Sequence, residues 1–169
     1  MNFAFSEEQV ELRKVAADFL TNKSAEADVR ALMETDEGYD PAVWSQMAEQ
    51  LGLQGLAIPE EYGGSGYSYV ELCVIFEEMG RRLLCAPFFS TVALAANALL
   101  HSGDDDAKAR YLLGIASGET IATVAFTEEN GRWDESGIEM EAAASDQGHT
   151  LTGTKSYVID GHIASLILV

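Results

Sequence analysis

Glu77 and Glu78 are the adjacent carboxylates that most readily suggest acid–base chemistry, because two neighbouring acids can divide the roles of proton donor and acceptor. Arg81 and Arg82 follow each of them by four positions. The surrounding apolar pattern predicts a helix, and side chains four positions apart lie next to each other on a helix surface. A ladder of ion pairs along that helix therefore explains the two carboxylates better than catalysis does.

Residues that commonly bind metals or act as nucleophiles are scattered along the rest of the chain. The three histidines are isolated, and each is near a turn signal: His101, His149 and His162. Because none has the spacing of a metal ligand or of a catalytic triad, we assign none of them a role. Cys73 and Cys85 lie in apolar helical segments, also without metal-ligand spacing. We expect both to be buried, reduced thiols, which suits a cytoplasmic protein.

The composition predicts a packed, globular protein. Of the 169 residues, 47% are hydrophobic and 22% are charged, close to the average for folded domains. The net charge is −18, from 28 acidic and 10 basic residues. Nucleic acids and anionic membranes bind clustered cations, so neither is an expected partner. No stretch approaches the ~20 apolar residues of a membrane span, and the chain does not open like a signal peptide. We therefore expect a cytoplasmic protein without membrane insertion.

The first 118 residues show the apolar periodicity of six helices. Ser6 and Gln9 form a capping-box pattern at the start of the first helix. Asp40–Pro41 places an N-cap and a first-turn proline at the start of the third. The fourth and fifth helices are predicted over residues 69–84 and 88–100; both are apolar on several faces, which predicts that they lie in the middle of the structure. The second and sixth helices are predicted over residues 25–33 and 104–118.

The pattern changes to that of β structure after Gly118. Residues 120–127 are β-branched and aromatic, which predicts a strand. Further short strands are predicted over residues 151–152, 156–159 and 166–169, and also over 138–144, whose alanines equally suit a helix. Helices followed by strands predict an α+β chain rather than an alternating sheet. We therefore predict an all-α helical domain over residues 1–118 and, over residues 119–169, the first strands of a β-barrel-like domain.

The last predicted strand, residues 166–169, ends the chain at full hydrophobicity. So few short strands would form a small open sheet with exposed edges, which is a liability for a folded protein. An ordinary C-terminal edge strand would give the same pattern. We favour the interpretation that the β domain is truncated.

Several stretches, taken in order, resemble one family. They are S-E-E-Q-V-E-L-R from residue 6, L-G-L-Q-G-L-A-I-P-E-E-Y-G-G-S-G from residue 51, E-E-M-G-R from residue 77, A-F-T-E from residue 125 and G-T-K-S-Y-V-I-D-G-H-I-A-S-L-I-L-V from residue 153. Together they resemble the N-terminal half of the acyl-CoA dehydrogenase family. No single stretch is decisive, but the ordered set is specific and covers nearly the whole chain.

The resemblance implies a flavoprotein of lipid metabolism. Family members are oxidoreductases with an N-terminal helical domain, a middle β domain and a C-terminal helical domain, and they bind FAD between the last two. They oxidise an acyl-CoA thioester: a glutamate of the C-terminal domain removes the α proton, the β hydride moves to the flavin, and an electron-transfer flavoprotein accepts the electrons. No residue of this chain matches that glutamate. We therefore expect the 169 residues alone to be inactive as a dehydrogenase.

The resemblance also implies cofactor contacts at the end of the first strand. There, backbone amides and a hydroxyl at Phe126 and Thr127 would donate to the flavin pyrimidine edge and stabilise charge on the reduced ring. Thr127 would otherwise be an ordinary strand-end threonine. Trp133 stands where the family usually has a serine near the cofactor pyrophosphate, and could pack on the adenosine or the CoA chain, or anchor a loop. Arg132 stands at a glycine position, and could contact a phosphate or lie on the surface.

The final motif implies two further cofactor positions. Tyr157 takes the place of an aromatic residue that packs against the flavin ring. Ile159 replaces a threonine whose hydroxyl reaches flavin N5, so a backbone amide is the donor that remains there. Lys155 is interpreted as a structural or solvent-exposed lysine, and Asp160–Gly161 as a tight turn. Trp133 and Ile159 thus replace two polar cofactor contacts.

Phe88, Phe89 and Val92 are predicted to contact the substrate. In the family, the acyl group lies beside the helices that correspond to the fourth and fifth predicted here. Plain core residues would give the same pattern, because large apolar side chains on a buried helix need no ligand to explain them.

Several functions follow from this resemblance. The first is the N-terminal portion of an FAD-dependent acyl-CoA dehydrogenase that acts on a fatty or steroid side-chain thioester. The second is a non-catalytic or cofactor-altered partner subunit of a heteromeric acyl-CoA dehydrogenase. The same scaffold also serves flavin monooxygenases and oxidases, since a fold does not fix the reaction. A binding or assembly module without catalysis is the fourth. We expect a homo- or hetero-oligomer.

Overall fold

The structure is a computed structural model that describes residues 4–146 and 148–169. Its helical elements are α1 Glu7–Lys23, α2 Glu26–Leu32, α3 Pro41–Glu49, α4 Tyr69–Arg81, a π-helical segment Phe89–Ala95, α5 Ala96–His101 and α6 Asp105–Ala116. Its strands are β1 Ala122–Val124, β2 Glu141–Ser145, β3 Gly148–Thr152 and β4 Leu166–Leu168. This order confirms the predicted fold class, a helical part followed by a few strands. Within the described residues, no helix combines the length and apolar character needed to cross a membrane.

The hydrogen bonds predicted at the starts of α1 and α3 are present in the structure. At α1, the Gln9 amide donates to Ser6 Oγ at 3.2 Å, and the Ser6 amide donates to Gln9 Oε1 at 3.0 Å. At α3, Asp40 accepts from the amide of Ala42 at 2.7 Å. These contacts satisfy amides that the first turn of a helix leaves without a backbone acceptor. Both predicted N-termini are therefore confirmed.

Glu77 and Glu78 of α4 form ion pairs mainly with α1. The prediction that they pair with Arg81 and Arg82 along α4 is therefore wrong in its main partners. Arg13 of α1 lies 2.6 Å from Glu77 and 3.1 Å from Glu78. Glu78 also contacts Arg81, three positions later on the same helix, at 3.3 Å. Hydrogen bonding to Glu77 is the main reason that the pKa of Arg13 is raised above its ordinary value. The arginine thus joins α1 to α4, a contact that spacing within one helix does not reveal.

The prediction that both cysteines are buried is wrong. Cys73 is exposed on α4, and Cys85 is half-buried in the loop that follows that helix. The buried face of α4 carries Leu72, Ile75 and Met79, and Cys73 lies outside it. This helix is therefore amphipathic rather than buried on all sides.

The fifth predicted helix begins as a π-helix, over Phe89–Ala95, before it continues as α5. The Asn97 side chain donates to the carbonyl oxygens of Ala93 at 2.9 Å and of Val92 at 3.3 Å. Such contacts satisfy carbonyls where the backbone register changes. The π-helical segment packs against β1 and lies between the two hydrophobic clusters of the core.

The strands form two separate pairs. β1 pairs in parallel with β4, and Ala122 lies opposite Leu166. β2 and β3 form an antiparallel hairpin in which both strands are exposed. β1 is shorter than the strand predicted over residues 120–127, because the chain leaves the sheet after a last ladder contact at Ala125.

The strand predicted over residues 156–159 is wrong. Tyr157 and Asp160 both have a φ of 54°, in the left-handed region that a strand does not use. The chain turns here, and the Gly161 amide donates to the Val158 carbonyl oxygen at 3.2 Å. The observed turn agrees with the one predicted at Asp160–Gly161, and it places Asp160 against the π-helical segment.

Candidate cofactor and substrate site

The end of β1 presents hydrogen-bond donors that have no acceptor among the described residues. The Ala125 amide donates to the Leu168 carbonyl oxygen at 2.8 Å, which is the last contact with β4. Within residues 4–146 and 148–169, no acceptor binds the next two amides, those of Phe126 and Thr127, and no group binds the Thr127 hydroxyl. We call these three donors the donor edge. Thr127 is only 6% exposed, and its carbonyl oxygen accepts from the Ser156 amide at 2.8 Å, which holds its backbone in place.

Glu128 fixes the chain directly after the donor edge. Its carboxylate accepts from the amides of Glu139 at 2.9 Å and Met140 at 3.1 Å, and from Lys155 Nζ at 2.7 Å. The contact with Lys155 is the main reason that the pKa of Glu128 is lowered, and the Glu139 amide lowers it further. One side chain thus joins three segments: the end of β1, the approach to β2 and the exit from β3. The structural interpretation of Lys155 agrees with this contact.

Trp133 stands beside the donor edge on the loop that Glu128 holds. Its ring packs edge-on against Phe126, with centroids 5.8 Å apart and planes at 83°. The Trp133 side chain is otherwise open, 81% exposed. Next to it, Arg132 donates to Ser136 Oγ at 3.1 Å from an exposed position. The structure therefore brings Phe126, Thr127 and Trp133 together at one surface.

The turn over residues 156–160 lies against the same strand end. The Ser156 amide donates to the Thr127 carbonyl oxygen at 2.8 Å, and Thr123 Oγ1 donates to the Ile159 carbonyl oxygen at 2.7 Å. Tyr157 is 89% exposed, and Ile159 is also exposed. All five predicted cofactor residues thus lie on segments that contact one another: Phe126, Thr127, Trp133, Tyr157 and Ile159.

The predicted substrate residues divide into a buried and an exposed group. Phe88 and Val92 are buried in the core, whereas Phe89 is 49% exposed. Phe76 of α4 packs edge-on against both phenylalanines, with ring centroids 5.2 Å from Phe88 and 6.2 Å from Phe89. Phe88 and Phe89 line an apolar cleft between α4 and the π-helical segment, together with Leu83. Val92 lies deeper, in the adjoining cluster of the core.

Comparison with known proteins shows the family of this chain. The family model described as the N-terminal domain of acyl-CoA dehydrogenases matches residues 6–119. The chain belongs to the acyl-CoA dehydrogenase family. Its helical part, which carries α1 to α6, accounts for that match.

Three similar proteins illustrate the range of acyl-CoA dehydrogenases that this member resembles. The acyl-CoA dehydrogenase IpdE2 of Mycolicibacterium smegmatis is 39% identical over 124 residues, which cover 73% of this chain and 38% of that protein. The structure of the ChsE4–ChsE5 complex from Mycobacterium tuberculosis matches with a TM-score of 0.86 and 27% identity, over 100% of this chain and 45% of that one. A variant of the Tcur3481–Tcur3483 steroid ACAD matches with a TM-score of 0.83 and 31% identity, over 95% and 44%. The chain thus spans less than half the length of these relatives.

Sequence reasoning missed four buried polar side chains that lie around the candidate site. Glu128, Ser90, Thr91 and Thr123 are all buried and hydrogen-bonded to distant parts of the chain. The adjacent hydroxyls Ser90–Thr91 on an otherwise apolar helix were a usable signal, because buried polar groups require partners. Among the described residues, no cluster of three or more histidine, cysteine or acidic side chains is arranged to hold a metal ion.

Proposed function

We propose that this chain supplies the N-terminal helical domain, residues 1–118, and part of the middle β domain, residues 119–169, of an FAD-dependent acyl-CoA dehydrogenase. The reaction is the α,β-oxidation of an acyl-CoA thioester from a fatty acid or a steroid side chain. The observation that carries the proposal is the donor edge of Phe126 and Thr127, whose donors have no protein partner among the described residues. A preorganised set of donors without partners is the arrangement that a carbonyl-rich ring edge requires.

The residues present fit a flavin at this position. FAD, when bound, supplies the hydride acceptor of the reaction. The donor edge would hold the pyrimidine side of its ring and stabilise negative charge there. Tyr157 and Trp133 offer two large, exposed aromatic side chains near the donor edge, where ring stacking contributes to binding. Ile159 supplies its backbone and an apolar side chain rather than a hydroxyl.

The substrate end of the proposed site is the cleft between α4 and the π-helical segment. Phe89 is half-exposed there, and Phe88 and Phe76 pack behind it. Apolar side chains at the mouth of a cleft favour an acyl group, because its burial removes hydrocarbon from water. Val92 is proposed to support this wall from the core.

The catalytic base of the proposed reaction lies outside residues 1–169. Glu128 is the one carboxylate next to the donor edge among the described residues that is also buried, and its oxygens are occupied by Lys155 and two amides. A paired carboxylate with a lowered pKa is a poor acceptor for a substrate proton. We therefore propose that residues 1–169 alone do not oxidise acyl-CoA.

A partner subunit of a heteromeric acyl-CoA dehydrogenase is the second proposal. Ile159 and Trp133 favour it, since both are large apolar side chains exposed at positions where the family presents hydroxyls. One of the similar structures is that of a complex, ChsE4–ChsE5, and another is named for two proteins together, Tcur3481–Tcur3483. In either proposal the protein is a cytoplasmic homo- or hetero-oligomer, and its partners are acyl-CoA and an electron-transfer flavoprotein.

Purification of the protein encoded by the complete reading frame tests these proposals. Visible absorption reports bound flavin, and anaerobic addition of acyl-CoA reports its reduction. Flavin that is bleached by acyl-CoA supports the dehydrogenase, with residues 1–169 alone as the inactive control. Flavin that is reduced by a nicotinamide cofactor but not by acyl-CoA would instead indicate a monooxygenase. A colourless protein that gains no flavin with added FAD would overturn the dehydrogenase, and co-expression with a related subunit would then test the heteromeric role.

A further inference from the structure

Ser90 is a buried hydroxyl to which the proposed chemistry assigns no role. It lies in the π-helical segment, next to Phe89, and is 0% exposed. Its Oγ lies 2.6 Å from Asp160 Oδ2 and 3.1 Å from the Pro87 carbonyl oxygen. A hydroxyl has one hydrogen to donate, and a carboxylate is the stronger acceptor. Ser90 therefore donates to Asp160, seventy positions along the chain.

Asp160 closes a turn whose backbone is strained. Tyr157 and Asp160 both have a φ of 54°, which aspartate tolerates and which is uncommon for a large side chain such as tyrosine. Such conformations persist where surrounding contacts over-determine them, and they cluster at ligand sites. The core does not need this turn for its packing, since Tyr157 is 89% and Ile159 46% exposed.

The same turn is held from its other side by β1. Thr123 Oγ1 donates to the Ile159 carbonyl oxygen at 2.7 Å. Thr91, the neighbour of Ser90, in turn joins the π-helical segment to β1: its Oγ1 lies 3.1 Å from both the amide nitrogen and the carbonyl oxygen of Ala122. The π-helical segment, β1 and the turn therefore form a closed set of contacts between buried hydroxyls and backbone or carboxylate partners.

We infer that Ser90 and Asp160 are positioning residues, whose hydrogen bond fixes the turn of residues 156–160 against the π-helical segment. The bond sets the distance between the acyl wall at Phe89 and the surface that Tyr157 and Ile159 present to the cofactor. It does so without contact with either ligand. This inference rests on the proposed function.

Ser90→Ala in the complete protein removes the donor and tests the inference. Its matched control is Ser24→Ala: Ser24 is also buried, and its Oγ donates to the Arg82 carbonyl oxygen at 3.0 Å, without contact with the turn or with a proposed cofactor residue. Asp160→Asn keeps an acceptor oxygen and tolerates the left-handed backbone, so it serves as the conservative variant. We expect Ser90→Ala to weaken FAD binding about ten-fold, or ~1.4 kcal/mol, and to shift the visible flavin spectrum. Ser24→Ala should leave both unchanged, and Asp160→Asn should change both less than Ser90→Ala does.

Amide hydrogen exchange supplies a second readout that does not depend on flavin. Four amides are hydrogen-bonded in or beside the turn: Ser156, Gly161, Ile163 and Ala164. We expect them to exchange faster in Ser90→Ala and at the wild-type rate in Ser24→Ala, because the turn loses its anchor on the π-helical segment. Unchanged exchange would overturn the link itself.

The remaining outcomes separate this inference from the proposed function. Faster exchange in Ser90→Ala with unchanged FAD affinity and spectrum would show that the bond is merely structural, and would overturn the positioning role. A wild-type protein that binds no FAD would refute the proposed function, and the positioning role with it, while the exchange data would still report whether Ser90 holds the turn. Equal loss of FAD binding in Ser24→Ala would assign the effect to general destabilisation.

Discussion

Thr127→Val removes the hydroxyl of the donor edge and keeps the shape of the side chain. Since no protein group within the described residues binds that hydroxyl, no internal hydrogen bond is lost. A hydroxyl that makes no hydrogen bond within the protein contributes little to folding, and a methyl group of the same shape can take its place. We therefore expect the free energy of unfolding without FAD to be unchanged or slightly higher. FAD binding should lose one hydrogen bond, worth about 0.5–1.5 kcal/mol, which is up to about ten-fold in Kd.

Thr123→Val is the matched control for this change. Thr123 lies four positions earlier, is fully buried, and donates to the Ile159 carbonyl oxygen at 2.7 Å. The variant loses this bond, which costs about 0.5–1.5 kcal/mol. For a folded unit of about 150–250 residues, each kcal/mol corresponds to a fall in Tm of about 2–4 °C.

Calorimetric melting without FAD and fluorescence titration with FAD measure the two effects separately. The expected pattern is a wild-type Tm with weakened FAD binding for Thr127→Val, and a lowered Tm for Thr123→Val. An equal fall in Tm for both variants would refute the reasoning, because the Thr127 hydroxyl would then have a structural partner. If Thr127→Val bound FAD with wild-type affinity, the Thr127 hydroxyl would not be one of the donors to the cofactor.

Three further predictions concern the scaffold. A Cβ at Gly64 would overlap the Ile58 carbonyl oxygen, so Gly64→Ala should lower Tm. Gly80 lies on a helix with open space around it, so Gly80→Ala should stabilise by about 0.5–1 kcal/mol. Thermal melts compare the two variants. Ser68→Ala removes the N-cap of α4 and should cost about 1 kcal/mol in urea unfolding. Because Lys155 lowers the pKa of Glu128, the stability from this pair is fully present above the ordinary glutamate pKa and is lost as pH falls through the lower folded value. NMR titration of the amides bound to Glu128 should show that step, and Glu128→Gln should abolish it.

Local signals in the sequence were sufficient for the helical part of the fold. The capping box at Ser6 and the Asp40–Pro41 start are each formed by residues within three positions, so the sequence displays both partners together. The end of α4 was placed too late, at residue 84 instead of Arg81. Apolar residues continue past the helix end there, and Leu83 takes a left-handed conformation that composition does not reveal.

The β part was less predictable, because its geometry depends on distant contacts. Residues 156–159 have the composition of a strand, yet hydrogen bonds from Thr123 and Ser90 hold them in a turn. Strand propensity is weak against such tertiary contacts. In the site, the family motif supplied Thr127 and Tyr157, whereas Glu128 with Lys155 needed the structure, since 27 positions separate the pair.

The parallel pairing of β1 with β4 has a consequence for synthesis on the ribosome. β1 leaves the exit tunnel well before β4, because the loop of Trp133, the β2–β3 hairpin and the turn at Tyr157 are all made in between. At about 5–20 residues per second, its open edge waits for seconds, and unpaired edges invite aggregation. Thr91 has already emerged by then, and its hydroxyl can bind both polar backbone groups of Ala122. The π-helical segment thus occupies the edge of β1 opposite the one that pairs with β4, so that a single edge of the strand is left open until β4 arrives.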